Sequence, residues 1–159
     1  HETGHIITLL ILKIKASCIS FEITGIKLIN PQTVLSYNKE LIILFSGSVI
    51  NIILFSLFYP WSYNNYFCGV FSVSNLLIGI FNLLPVTNFD GGKIIKNISL
   101  RFLPVKVSYF ICRLIDFVVV LGLIILSVIK LMNGEKSISL YVITIYLFIA
   151  LLFKFLDKE

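Results

Sequence analysis

Apolar residues run in long blocks along this 159-residue chain, separated by short polar connections. Several blocks reach the roughly 20 residues that a helix needs to cross a bilayer. Residues 1–14 read as the second half of one such helix, ending at Lys13 and Lys15. Further spans are predicted at 40–59, 68–86, 107–131 and 138–156. Between the first and second spans the period changes. Ile19, Phe21 and Ile23 alternate with Ser20, Glu22 and Thr24, the two-residue repeat of a half-exposed strand. Gly25 permits a kink or turn there, before Ile26, Leu28 and Ile29. The stretches "NPQT" at 30–33 and "NGEKS" at 133–137 read as turns, and "PWSYNNYF" at 60–67 as an uncharged aromatic loop suited to a membrane interface. An amphipathic stretch follows "NFDGGK" at 88–93 and runs to Phe102, and Pro104 punctuates it. The predicted fold class is an all-α polytopic membrane protein with about five transmembrane segments, the first truncated, and a short β element.

Composition supports lipid as the solvent. Apolar residues make up 58% of the chain and charged ones 13%, where a soluble domain carries about a quarter. The mean hydropathy is +1.00. The net charge of +5 does not point to nucleic acid, because the Lys and Arg residues lie singly between apolar segments without a basic stripe and interleaved aromatics. Their placement instead orients the chain. Lys13, Lys15, Lys27 and Lys39 lie on one connection, Lys93, Lys96, Arg101 and Lys106 on another, and none on 60–67. The positive-inside rule puts the two basic connections in the cytoplasm, outvoting the mixed turn with Lys130, Glu135 and Lys136. Cys18, Cys68 and Cys112 have no CxxC spacing and read as small packing residues. The chain starts at His1 without a methionine, and its first apolar run is too short to span, so it reads as a fragment with the start of that helix missing.

The chemistry concentrates in "HETGH" at 1–5, which holds the only two histidines. On a helix, residues four apart share a face about 6 Å apart along the axis, so His1 and His5 can both point a nitrogen at one metal ion. Glu2 falls off that face but within reach of a water on the metal, the logic of the HExxH pattern. A catalytic zinc needs a third protein ligand. Of the acids Glu22, Glu40, Asp90, Asp116, Glu135, Asp157 and Glu159, Asp90 stands out by its surroundings, "FNLLPVTNFDGGK". Asn82 and Pro85 interrupt a helix just before it, and Gly91 and Gly92 allow close approach. Plainer readings stand beside these: Asp90 as a helix N-cap, Asn82 as turn chemistry before Pro85, and Asn51 with Ser46 and Ser48 as helix packing. Arg113 and Asp116, three apart, read as a local ion pair, and Lys93, Lys96, Arg101 and Lys106 as orientation charges.

"HETGH" together with "NLLPVTNFDGG" closely resembles the site-2 protease family of intramembrane zinc metalloproteases, whose patterns are HExxH and NxxPxxxxDG. Asn82, Pro85, Asp90 and Gly91 complete the second pattern, and "SGSVIN" at 46–51 is similar to the family's small-Gly-Pro-x-x-Asn stretch, with Ser48 in place of the proline. The resemblance spans His1 to about Lys96. It implies zinc held by His1, His5 and Asp90, with Glu2 as the catalytic base. It also implies substrate contacts from Asn82 and Asn51, and a membrane-associated β element at 19–29 that holds unwound substrate. It implies one domain over 1–159, with a catalytic core at 1–100 and C-terminal helices at 104–159. The partners are the bilayer and a membrane-embedded or membrane-associated protein substrate, with no nucleic acid, and no cofactor besides zinc. The expected location is a bacterial cell membrane, multi-pass, with the site toward the cytoplasm. No large insertion separates His5 from Asn82, which resembles the stage IV sporulation branch that processes a pro-sigma factor. Two other classes compete: a catalytically inactive membrane scaffold, against which intact Glu2 argues, and a small transporter or metal carrier, which predicts repeated helix motifs or further buried ligands.

Overall fold

The computed structural model describes residues 1–14, 18–22, 25–29, 35–134 and 137–156, with side chains over 1–14, 35–134 and 137–153. The architecture is helical: α1 (Glu2–Ile11), α2 (Tyr37–Phe58), α3 (Tyr66–Asn82), α4 (Asp90–Phe102), α5 (Val105–Met132) and α6 (Ile138–Leu156). Between α1 and α2 lie β1 (Cys18–Glu22) and β2 (Gly25–Ile29), paired antiparallel with Cys18 opposite Ile29 and Glu22 opposite Gly25. Gly25, where the sequence permits a kink or turn, starts the second strand. The turn expected at 30–33, and residues Lys15, Glu135, Lys136, Asp157 and Glu159, lie outside the described residues.

Among the described residues, two helical segments are long and apolar enough to cross a membrane, Tyr37–Tyr63 and Val105–Met132. At 1.5 Å per residue the second is about 42 Å long, against about 30 Å of hydrocarbon. The apolar helices Glu2–Ile11, Tyr66–Asn82 and Ile138–Phe153 are shorter. The loop expected at 60–67 is mostly a 3-10 turn, Tyr59–Tyr63, that prolongs α2. Asn65 then starts α3, its side-chain oxygen accepting the Phe67 N–H at 2.9 Å.

α2 is the hub. It packs against α1, α3 and α4, α4 packs against α5, and α5 against α6. Polar side chains join these helices. Ser48 Oγ donates to the Gly79 carbonyl on α3 (3.1 Å), Ser99 and Ser108 link α4 to α5 (2.6 Å), and Ser127 and Thr144 link α5 to α6 (3.0 Å). α2 runs unbroken through Ser48, where the resembled family has a proline. At the other end of α2, Asn97 and Arg101 of α4 hold Glu40 and Asn38.

The loop 83–89 turns the chain from α3 into α4. Phe81 and Phe89 bracket it edge to face, 4.8 Å between centroids. Val86 enters the buried cluster formed with Val120 of α5 and Leu147 of α6. Gly91 and Gly92 press their backbones against this loop, so closely that a Cβ at either would collide with the Leu83 or Val86 carbonyl. Gly91→Ala is therefore expected to destabilise the fold by about 1–3 kcal/mol, the usual cost of overpacking, read as a lower thermal midpoint in detergent.

Candidate metal centre

Three chain segments meet at one point: the start of α1, the middle of α2 and the start of α4. His1 Nε2 lies 2.9 Å from Asp90 Oδ2, His5 Nε2 lies 3.0 Å from the same oxygen, and the two nitrogens are 3.3 Å apart. The cluster is mostly buried, with side-chain exposures of 10% for His1, 11% for His5 and 8% for Asp90. Ligands around a tetrahedral ion with bonds of about 2.0–2.1 Å stand about 3.4 Å apart. The observed triangle is slightly tighter than that and of the right shape. Two imidazoles and a carboxylate suit several divalent metals, zinc among them.

The protonation pattern points the same way. His5 Nδ1 donates to the Ile43 carbonyl at 2.7 Å, so a neutral His5 carries its lone pair on Nε2. That lone pair faces a carboxylate oxygen at 3.0 Å. Two acceptors at this distance repel unless a proton or a cation lies between them. Asp90 is the first residue of α4, where the helix dipole favours negative charge. Burial works against its charge. A protonated His5, which alone can donate from Nε2, and the nearby Lys93 ammonium outweigh burial and hold its pKa below the ordinary carboxylate value.

Local sequence explains the convergence. His1 is the N-cap of α1, its carbonyl accepting the Gly4 N–H at 2.9 Å. Ile43, Gly47 and Asn51 recur every four residues along one face of α2. His5 pairs with Ile43 and His1 with Asn51, so α1 runs antiparallel to this stripe. Gly47 lies between the two rings, and a Cβ there would stand 2.6 Å from His5 Nε2 and 2.7 Å from His1 Cε1. The missing side chain is the space the imidazoles occupy.

The remaining sequence-derived residues fall into place unevenly. Glu2 follows His1 in the first turn of α1, half-buried, its charge close enough to act on His5. Asn82 ends α3 and donates its amide to the Ile78 carbonyl of its own helix at 3.0 Å. Asn51 is 1% exposed, its Nδ2 3.3 Å from His1 Nδ1. Asp90 does not cap α4; Phe89 holds that position, and the Asp90 oxygens turn to the histidines and to Lys93. Lys93, expected only to orient the chain, places Nζ 3.1 Å from Asp90 Oδ1. Lys96 lies over the Tyr109 ring, 4.5 Å from its centroid.

One residue acts here that sequence alone did not suggest. It offers Asp116 a local partner, Arg113; the structure adds a distant one. Asp116 Oδ1 accepts the Thr87 backbone N–H at 2.8 Å and Oδ2 the Thr87 hydroxyl at 2.6 Å. This fastens the loop that delivers Asp90 to α5. The available signal was a lone acid inside a long apolar helix, which is costly enough to mark a role. Asp116→Asn turns an amide N–H toward one of the Thr87 donors. It is expected to cost about 1–3 kcal/mol, measured as a lower thermal midpoint, and to weaken metal binding by loosening Asp90.

Compared with known proteins, the chain matches no family model, and no curated protein matches it significantly. The functional reading therefore rests on the residues and their geometry.

Proposed function

We propose that this chain is an intramembrane zinc metalloprotease of the site-2 protease kind, which hydrolyses a peptide bond in or near the transmembrane segment of a membrane protein. The observation that carries the reading is the meeting of an HExxH pair on α1 with the aspartate of an NxxPxxxxDG stretch at one mostly buried cluster. His1, His5 and Asp90 would hold the ion. When bound, zinc polarises the scissile carbonyl and acidifies a water molecule. Glu2 takes the proton from the attacking water and delivers it to the leaving amine. Asn82 spends one amide N–H on the Ile78 carbonyl and would meet substrate through its other N–H or its Oδ1.

The membrane setting rests on the apolar surface. The most apolar stretch of α5 is only 11% buried, whereas a core helix of a soluble protein is mostly buried. Phe110, Leu114, Phe117, Val118 and Leu121 are all exposed along α5. In water such a face invites aggregation; in lipid it is the solvated surface. On this reading α1, α3 and α6 are further membrane segments, the 17-residue α3 accommodated by local thinning of the bilayer. The basic connections support an orientation with the site toward the cytoplasm, in what we read as a bacterial membrane. The β1–β2 pair offers a strand edge to which an unwound substrate can add, satisfying backbone groups that lipid cannot. The compact chain is in keeping with a membrane-associated pro-sigma factor as substrate.

Metal analysis tests the reading. The chain purified in detergent is expected to carry zinc, and His1→Ala, His5→Ala and Asp90→Ala each to hold about a tenth or less of it. Chelation is expected to stop cleavage of a labelled single-span membrane polypeptide, and added zinc to restore it. A parent chain that binds no zinc sinks the proposal.

A further inference from the structure

Both histidines present Nε2 to the cluster, so each needs something on its Nδ1 side to fix the ring. For His5 that partner is an obligate acceptor, the Ile43 carbonyl at 2.7 Å. For His1 it is the amide of Asn51, 3.3 Å away and two helical turns along the same face of α2. Asn51 is almost fully buried, and its Oδ1 has no hydrogen-bond partner. With Nδ2 toward His1, the amide donates and the ring must carry its proton on Nε2, where a metal ligand needs a lone pair. The two ends of an amide have nearly the same shape, and a half-turn about the terminal torsion exchanges them. Oδ1 then accepts the Nδ1–H of His1, and the ring turns a lone pair toward Asp90 Oδ2 and His5 Nε2.

We infer that Asn51 is a positioning residue: its carbonyl accepts the Nδ1–H of His1 and sets that ring in the metal-binding tautomer, as the Ile43 carbonyl does for His5. This replaces the substrate contact first expected of Asn51 and rests on the metal reading above. Asparagine suits the place because its amide can meet either tautomer of His1, as donor to one and acceptor to the other.

The test measures zinc affinity by competition with a chromophoric chelator, using the whole chain in detergent with Glu2→Gln to prevent self-cleavage. Asn51→Leu keeps the volume and removes the acceptor; it is expected to bind zinc about 10–100-fold more weakly. Asn51→Asp, which only accepts, is expected to bind at least as well as Asn51. In the zinc-loaded parent, nitrogen-15 histidine spectra are expected to show both rings protonated on Nδ1. Asn51→Leu binding as tightly as the parent overturns the inference and leaves the metal site standing. So does Asn51→Asp failing tenfold or more, an arm that holds even if Asn51→Leu does not fold. A parent that binds no zinc removes both readings together.

Discussion

Glu2→Gln is expected to leave zinc binding unchanged and to lower the cleavage rate by about 10²–10⁴-fold, the usual contribution of a positioned general base. The amide has the size and shape of the carboxylate and cannot take a proton. Glu2 sits in the first turn of α1, one residue from His1 on a helix whose register the two histidines fix. A helical step of about 100° takes it off the face shared by His1 and His5. It is absent from the cluster of His1, His5 and Asp90, so the proposed metal would not depend on it. The decisive measurement pairs zinc stoichiometry with turnover of a labelled single-span polypeptide, parent against variant. The inactive-scaffold alternative requires the opposite result, with cellular function unchanged in Glu2→Gln. Equal turnover in parent and variant ends the protease assignment while leaving a metal site to be explained.

Gly47→Ala carries the second large effect, although nothing about it is chemically reactive. Alanine is the better helix former by about 1 kcal/mol, so α2 itself gains from the change. The added methyl would stand 2.6–2.7 Å from both imidazoles, well inside contact distance. Neither ring can retreat easily, because Ile43 holds one and Asn51 adjoins the other. The rings must swing away or α1 must lift from α2. Displacing catalytic groups by about 1 Å costs on the order of 10²-fold, so zinc affinity and cleavage are expected to fall together by that much. Circular dichroism of Gly47→Ala is expected to match the parent. A variant that keeps full zinc affinity would show that α1 and α2 are packed less closely than the structure has them.

The helical segments were legible because they are long apolar blocks, and the charges between them mark their ends. Element ends were less so. Residues 60–67 looked like a loop from Pro60 and its polar neighbours, yet tight turns there extend α2. Alternation identified extended chain at Cys18–Glu22 but not its pairing with Gly25–Ile29, since pairing depends on contacts across the ladder. The components of the site were legible too. Four-residue spacing gave His1 and His5 a common face, and a carboxylate beside Pro85 and two glycines stood out in a chain poor in charge.

The order of residues thus determined which helices form and which few polar groups are left to do chemistry, because local periodicity and the cost of burying charge are properties of the chain itself. Tertiary packing decided everything that depends on which faces meet. It set the Ile43–Gly47–Asn51 stripe against α1, brought Asp90 onto the two histidines, and gave Asp116 the task of holding the loop that carries it. A side chain's partner across two helices depends on angles and distances between rigid elements, and no spacing within one helix encodes them.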